Sequence, residues 1–216
     1  MFTELTRDDI FHLETKSLWL RWPRASDAKH ITRFVSFADA AEMTAVIPHP
    51  SPSSEAGRFI FSARAQNASG KALVLVLTPK GRVTQAIGLV SVTFSRNGEP
   101  ELDYILSPSV WGRGFASEAV KAVLSTLFTL TGVKRVLAST RPANIASRRV
   151  LEKCGFTYAG TAVAFLEAQG GSQICDRFIL ERGTWARQSG GRLMAPMVQQ
   201  QPDLFGSPSG AARGGH

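Results

Sequence analysis

Residues 101–120 read ELDYILSPSVWGRGFASEAV, and the order of signals in this stretch decides the fold. ELDYILS (101–107) has the make-up of a strand, and after the glycines Ala119, Val120, Val123, Leu124, Leu127 and Phe128 recur at helical spacing until Gly132. Gly112-Arg113-Gly114 lies between them. A glycine pair after a strand is by itself only a turn signal, because glycine accepts a positive φ. Strand, glycine turn and helix in direct succession carry more. The N–H groups of Gly114, Phe115, Ala116 and Ser117 would point outward together at the positive end of a helix dipole, where an anion binds without any particular side chain. Arg113 adds a mobile positive charge. A Walker loop would need Gly-Lys-Ser/Thr where Phe-Ala-Ser stands, and a dinucleotide loop would need a third glycine early in a parallel βαβ unit. Neither fits.

Outward from this stretch the chain alternates readable elements. Leu18, Leu20 and Trp22 alternate with Trp19 and Arg21 as an opening strand closed by Pro23. Ser26 and Asp27 start a helix carrying Ile31, Phe34, Val35 and Ala38, and the PHPSPSS stretch caps another from near Glu55 to Gly70. ALVLVLT (72–78), AIGLVSVTF (86–94) and ELDYILS form an antiparallel meander. Val136 to Thr140 is a short strand, Asn144 to Cys154 a helix ending at Gly155, and residues 156–165 and 172–181 a final pair of strands around Gly170-Gly171. After about Trp185 the composition turns to Gln, Gly, Ser, Pro and Ala, so a folded domain is expected over 1–184 and a disordered tail over 185–216.

Composition excludes some classes. The chain has 216 residues and is 44% hydrophobic, enough for one domain with a sizeable core. Its formal net charge of +8 suits an anionic ligand. No block of five or six Lys/Arg exists and the aromatics are not interleaved with basic residues, so nucleic acid is a weak expectation. Cys154 and Cys175 make neither a disulfide framework nor a zinc site, and the four histidines lack ligand spacing, so no metal is expected. The charged N-terminus and the shortness of the apolar run Leu73 to Leu77 predict a soluble cytoplasmic protein without a membrane span, as monomer or homodimer.

Four segments together resemble the GNAT superfamily of acyl-CoA-dependent N-acetyltransferases, more narrowly the branch containing the ribosomal-protein alanine N-acetyltransferases. They are SLWLRWPRASDA (17–28), AIGLVSV (86–92), ELDYILSPSVWGRGFASEAV (101–120) and RPANIASRRVLEKCGF (141–156). The resemblance extends from about residue 15 to about 182 and implies an α+β fold, a mixed, mostly antiparallel central sheet flanked by helices. It also implies direct transfer of an acetyl group from acetyl-CoA, as cosubstrate, to a primary amine. Arg113, Gly114, Phe115, Ala116 and Ser117 would then cradle the pyrophosphate. Main-chain groups near Ile105 and Leu106 would meet the thioester and pantetheine, and Asn144 the pantetheine amides. Trp111 stands where the superfamily commonly has Gln or Arg.

Such a reaction needs a base for the amine, donors for the oxyanion and a proton for the thiolate. Glu101 and Asp103, two apart on one strand, share a face. Glu101 is the first choice as base because the branch has a glutamate there; Asp103 stands where a glycine is usual and can replace it, interfere with it or bind a cationic substrate. A solvated charge pair is the plain alternative. Ser147 matches the position whose hydroxyl lies near the coenzyme sulfur. Tyr104 is expected to pack rather than to do acid–base work, and Cys154 to be a small buried residue. The rival class is a non-catalytic acyl-CoA-binding or scaffold protein. In the tail, QPDLF (201–205) resembles the peptide that docks bacterial proteins on the replication sliding clamp, through Gln201, Leu204 and Phe205.

Overall fold

The computed structural model describes residues 11–36, 53–95, 97–166 and 171–189. Eight strands form one sheet: β1 (His12–Glu14), β2 (Leu18–Arg21), β3 (Leu73–Pro79), β4 (Gly88–Phe94), β5 (Pro100–Leu106), β6 (Arg135–Thr140), β7 (Thr157–Leu166) and β8 (Gly171–Glu181). Their spatial order is β1-β2-β3-β4-β5-β6-β8-β7, and every neighbouring pair is antiparallel except β5 with β6. The helices are α1 (Ala28–Val35), α2 (Ser53–Ala68), α3 (Phe115–Leu130), α4 (Ile145–Lys153) and α5 (Arg182–Gln188). This is the expected α+β architecture.

Helices cover both faces of the sheet, which explains the unbroken apolar run of β3. Leu73, Leu75 and Leu77 face a core shared with Val120, Val123, Leu127 and Phe128 of α3. Val76 faces the other way, onto Ile31 and Phe34 of α1 and Ile60 of α2. A strand buried on both sides needs no polar alternation. The stripe expected in α3 is the buried one, and the helix ends at a Thr131 cap just before Gly132.

Three features differ from the sequence expectation. The hairpin strand β1 is three residues long and mostly polar, too short to carry a period. It matters because Thr15 Oγ1 and the Ser17 N–H both donate to Glu118 Oε1 at 2.6 Å, tying the β1–β2 turn to the first turn of α3. Second, α5 carries ordered chain past the boundary expected at residue 185. Trp185 packs on Phe128 with ring centroids 5.1 Å apart. Arg182 donates to the carbonyl of Phe128, in the last turn of α3, and to those of Thr131 and Val133 just past it. Third, α1 is preceded by a 3-10 turn over Ala25–Asp27. Ala38, most of PHPSPSS and the QPDLF segment with Gln201, Leu204 and Phe205 lie outside the described residues.

The turn before α1 is locked by a buried ion pair. Arg21 of β2 donates through Nη1 and Nη2 to the two carboxylate oxygens of Asp27, each at 2.8 Å, and the Arg24 N–H donates to Asp27 Oδ2 at 2.7 Å. Asp27 is fully buried. Replacing it by asparagine keeps the shape and strands a buried guanidinium. Asp27→Asn is expected to lower the free energy of unfolding by about 3 kcal/mol, read from the urea midpoint at unchanged slope.

Candidate active site

The site is built where two parallel strands part. β5 and β6 are in register only at Glu101↔Leu137 and Leu102↔Ala138, yet β5 runs on to Leu106 and β6 to Thr140. On its other side β5 stays paired with β4 as far as Leu106↔Gly88. The Ser107 N–H donates to the Ile87 carbonyl, and in an antiparallel ladder such pairs recur every second residue. Ile105 and Asp103 therefore spend their main-chain groups on β4, while Tyr104 and Leu106 turn theirs toward the gap left by β6. Of the two residues named in the sequence reading, the ladder register turns the Leu106 main chain toward the gap and the Ile105 main chain toward β4. Gly88 lets the two strands come this close, since a Cβ there would lie 2.5 Å from the Ile105 carbonyl oxygen.

One of the groups in the gap is already taken. Trp111 donates its indole N–H to the Leu106 carbonyl at 2.9 Å, although 47% of its surface remains exposed. The indole fixes the loop that follows β5 against the strand's open edge, a task that a Gln or Arg at this position would perform with different reach.

Beyond Trp111 the chain turns into α3 through two left-handed residues, Gly112 (φ 76°) and Gly114 (φ 81°). Nothing lies within 4 Å of a Cβ built on either, so it is conformation and not space that calls for glycine. Gly114 is the N-cap of α3 and has no side chain to satisfy the helix. The first-turn N–H groups at Phe115, Ala116 and Ser117 have no intrahelical acceptor and stay available to an anion. Arg113 is exposed beside them. The acidic residue of this turn, Glu118, is held by Thr15 and Ser17.

Alternation along β5 distributes the remaining candidates between two faces. Glu101 and Asp103 share the face of Ile105, which packs with the α1–α2 core. Glu101 accepts a hydrogen bond from Ser139 Oγ of β6 at 2.9 Å. Asp103 keeps some accessible surface as a residue, but its carboxyl lies deep in the protein. Burial first, and then the charge of Glu101, push it up to about 7. Tyr104 points to the opposite face, against the α3 core, and reaches α4. Its hydroxyl lies 2.8 Å from Ser147 Oγ and 3.0 Å from the Ser147 carbonyl oxygen. Burial raises this phenol well above the usual tyrosine range.

Asn144 is the N-cap that the sequence predicts, accepting the Ser147 N–H at 2.9 Å through Oδ1. Its amide nitrogen is the half not spent on the cap. Cys154 is buried, donates weakly to the Ser117 carbonyl at 3.7 Å, and has its thiol pushed up to about 11 by burial, which makes it an inert packing residue. Among the described residues no three His, Cys, Asp or Glu side chains gather as metal ligands, and no helix is long and apolar enough to cross a membrane. Tyr104 and Trp111 are the residues whose part the sequence reading undervalued. Only their spacing from ELD and from the glycines could have signalled contacts at the site.

A family model described as an acetyltransferase (GNAT) domain matches residues 17–157. An uncharacterized N-acetyltransferase, p20, of Bacillus licheniformis is 26% identical over 68% of this chain and 75% of its own length. An FsC-acetyl coenzyme A-N(2)-transacetylase of Aspergillus fumigatus is 33% identical over 31% of this chain and 28% of that enzyme. Among solved structures, a ribosomal-protein-S5-alanine acetyltransferase from Vibrio fischeri superposes with a TM-score of 0.67 at 21% identity, over 81% of this chain and 98% of that one. The microcin C7 self-immunity acetyltransferase MccE, in complex with acetyl-CoA and AMP, gives 0.66 at 19% identity, over 77% and 93%. With the family's domain matched over more than half its length, and with its glycine turn, parted strands and capped second helix in place, the chain belongs to the GNAT family of acyl-CoA-dependent N-acetyltransferases.

Proposed function

We propose that this enzyme transfers acetyl from acetyl-CoA directly to the primary amine of a protein N-terminus or of a small molecule, with Asp103 as proton acceptor. The observation that carries this reading is the convergence at β5 of a helix N-terminus with free N–H groups, main chain left unpaired by β6, and two carboxylates, Glu101 and Asp103, on one face of the strand. The pyrophosphate of the donor lies on the N–H groups of Phe115, Ala116 and Ser117 with Arg113 beside it. The pantetheine arm runs along the gap, taking hydrogen bonds from Tyr104 and Leu106 main chain and from the Asn144 amide nitrogen. The Leu106 N–H is aimed where a thioester oxygen would gain charge.

The chemistry balances without a covalent enzyme intermediate. The amine lone pair forms the C–N bond, the tetrahedral intermediate collapses with cleavage of the C–S bond, and the departing thiolate takes a hydrogen bond from the Ser147 hydroxyl, which keeps its own proton, before solvent protonates the sulfur. The proton shed by the amine goes to a carboxylate on the other face of β5. Two supports favour Asp103 over Glu101 for that role. Asp103 is part-buried with its carboxyl pushed up by burial and then by the charge of Glu101, and Glu101 is held by Ser139. A branch glutamate at 101 and an added aspartate at 103 then work as a unit.

The acidic limb of the pH profile tests this. Below pH 7 the Asp103 carboxyl holds its proton and cannot take another, so kcat/KM rises with pH up to about 7. Asp103→Asn is expected to erase that limb and reduce kcat about 100-fold. Glu101→Gln removes the neighbouring like charge, so its limb moves to lower pH while more turnover survives. A limb that stays in place in Asp103→Asn and vanishes in Glu101→Gln returns the role to Glu101.

The cradle is tested through the donor. Gly114→Ala forces a methyl group into a left-handed residue. The KM for acetyl-CoA is expected to rise about tenfold, with far less change in KM for the amine, in assays that follow free thiol. A screen of N-terminal peptides and small amines by the same thiol assay identifies the acceptor.

A further inference from the structure

Tyr104 and Ser147 are joined by a hydrogen-bond arrangement richer than packing requires. The phenol has one proton and two acceptors in reach, the Ser147 carbonyl at 3.0 Å and Ser147 Oγ at 2.8 Å. The carbonyl has nothing to donate. When the phenol O–H points to the carbonyl, the 2.8 Å contact is closed by the serine hydroxyl donating to the phenol oxygen. When the phenol rotates to Oγ, the serine proton is released to point elsewhere. The Ser147 main chain is held by its N–H donating to Asn144 Oδ1 at 2.9 Å in the first turn of α4, which keeps the residue within reach of the phenol. Burial keeps the phenol neutral, so it remains a donor throughout the working pH range.

Resting on the reading of Ser147 as the group beside the departing sulfur, we propose that Tyr104 is a positioning residue that switches the Ser147 hydroxyl between a parked and a presented state. In the parked state the serine proton is held by the phenol oxygen and a lone pair of Oγ faces the gap. As negative charge grows on the sulfur, the phenol turns its O–H onto Oγ and the serine O–H turns to the sulfur. No proton leaves Tyr104, and no bond to it forms or breaks. One C–O torsion at each hydroxyl is all that moves. Tyr104 thereby also gives direction. A serine in the first turn of a helix otherwise donates freely to solvent or to a backbone carbonyl of the preceding turn.

Tyr104→Phe removes the phenol oxygen and keeps the ring that packs against the α3 core. It is expected to lower kcat about tenfold, the worth of one directed hydrogen bond in the transition state, with KM for acetyl-CoA unchanged. The loss should disappear with an activated acetyl thioester of an acidic thiophenol, whose thiolate needs no donor. Ser147→Ala alone should be slow with acetyl-CoA, and Tyr104→Phe with Ser147→Ala should be no slower than Ser147→Ala. A fully additive double variant, or a Tyr104→Phe loss that persists with the activated thioester, would mean a merely structural tyrosine and overturn the proposal. Full turnover in Ser147→Ala would overturn the reading of Ser147 beneath it. Normal turnover in Tyr104→Phe with a slow Ser147→Ala would overturn the switch alone.

Discussion

The structure depends on a pairing that is begun and then abandoned. β5 and β6 share two register positions before they separate, and the main chain of β5 beyond Leu102 is left with half its hydrogen bonds unmade. Buried peptide groups without partners are costly, so an interior strand with an open edge is stable only if something else fills the gap. Here Trp111 takes one carbonyl, that of Leu106. The slot we propose for the donor is thus the place of a missing strand.

Everything around the gap holds it open or aims groups into it. The crossover from β5 to β6 runs through α3, whose N-terminus sits beside the end of β5 because Gly112 and Gly114 turn the chain in so few residues. α4 is set by Asn144 so that Ser147 meets Tyr104. On the far face the Arg21–Asp27 pair fixes where α1 begins, and α1 and α2 close over the side of the sheet that carries Glu101 and Asp103. One strand therefore serves two compartments. Neighbouring residues 103 and 104 send a carboxylate to one and a phenol to the other.

Much of this could be read from the chain alone, for physical reasons that differ by element. α3 was legible because a one-sided apolar stripe has a period, and the Asn144 cap because a short acceptor side chain before a helix has a purpose. The glycine turn into α3 was legible because only the order of strand, glycine and helix was needed. What escaped depended on distance in sequence. Arg182 capping α3, Glu118 holding the first hairpin and Tyr104 meeting Ser147 across 43 positions have no local signature. The main-chain direction at Ile105 is hidden for a subtler reason. Side-chain alternation can be read from residue types, but the direction of each N–H is set by the neighbouring strand. Asp103 could be placed on the right face, while its proton affinity came from depth in the fold.

The strand order carries a consequence for synthesis. β8 lies between β6 and β7, so among the described residues the last strand to leave the ribosome is an interior one. Until it arrives, β6 has no partner on that side, β7 has no neighbour at all, and the carbonyls at the end of α3 wait for Arg182. A nascent chain at a synthesis rate of about 5–20 residues per second spends seconds with half a sheet and a formed glycine turn. Final closure is a zipper driven into the middle of the molecule rather than a layer added to its edge. Chain length is thereby checked by the fold itself, since a product that stops short of β8 keeps the motif of the enzyme and lacks the wall that its active site leans on.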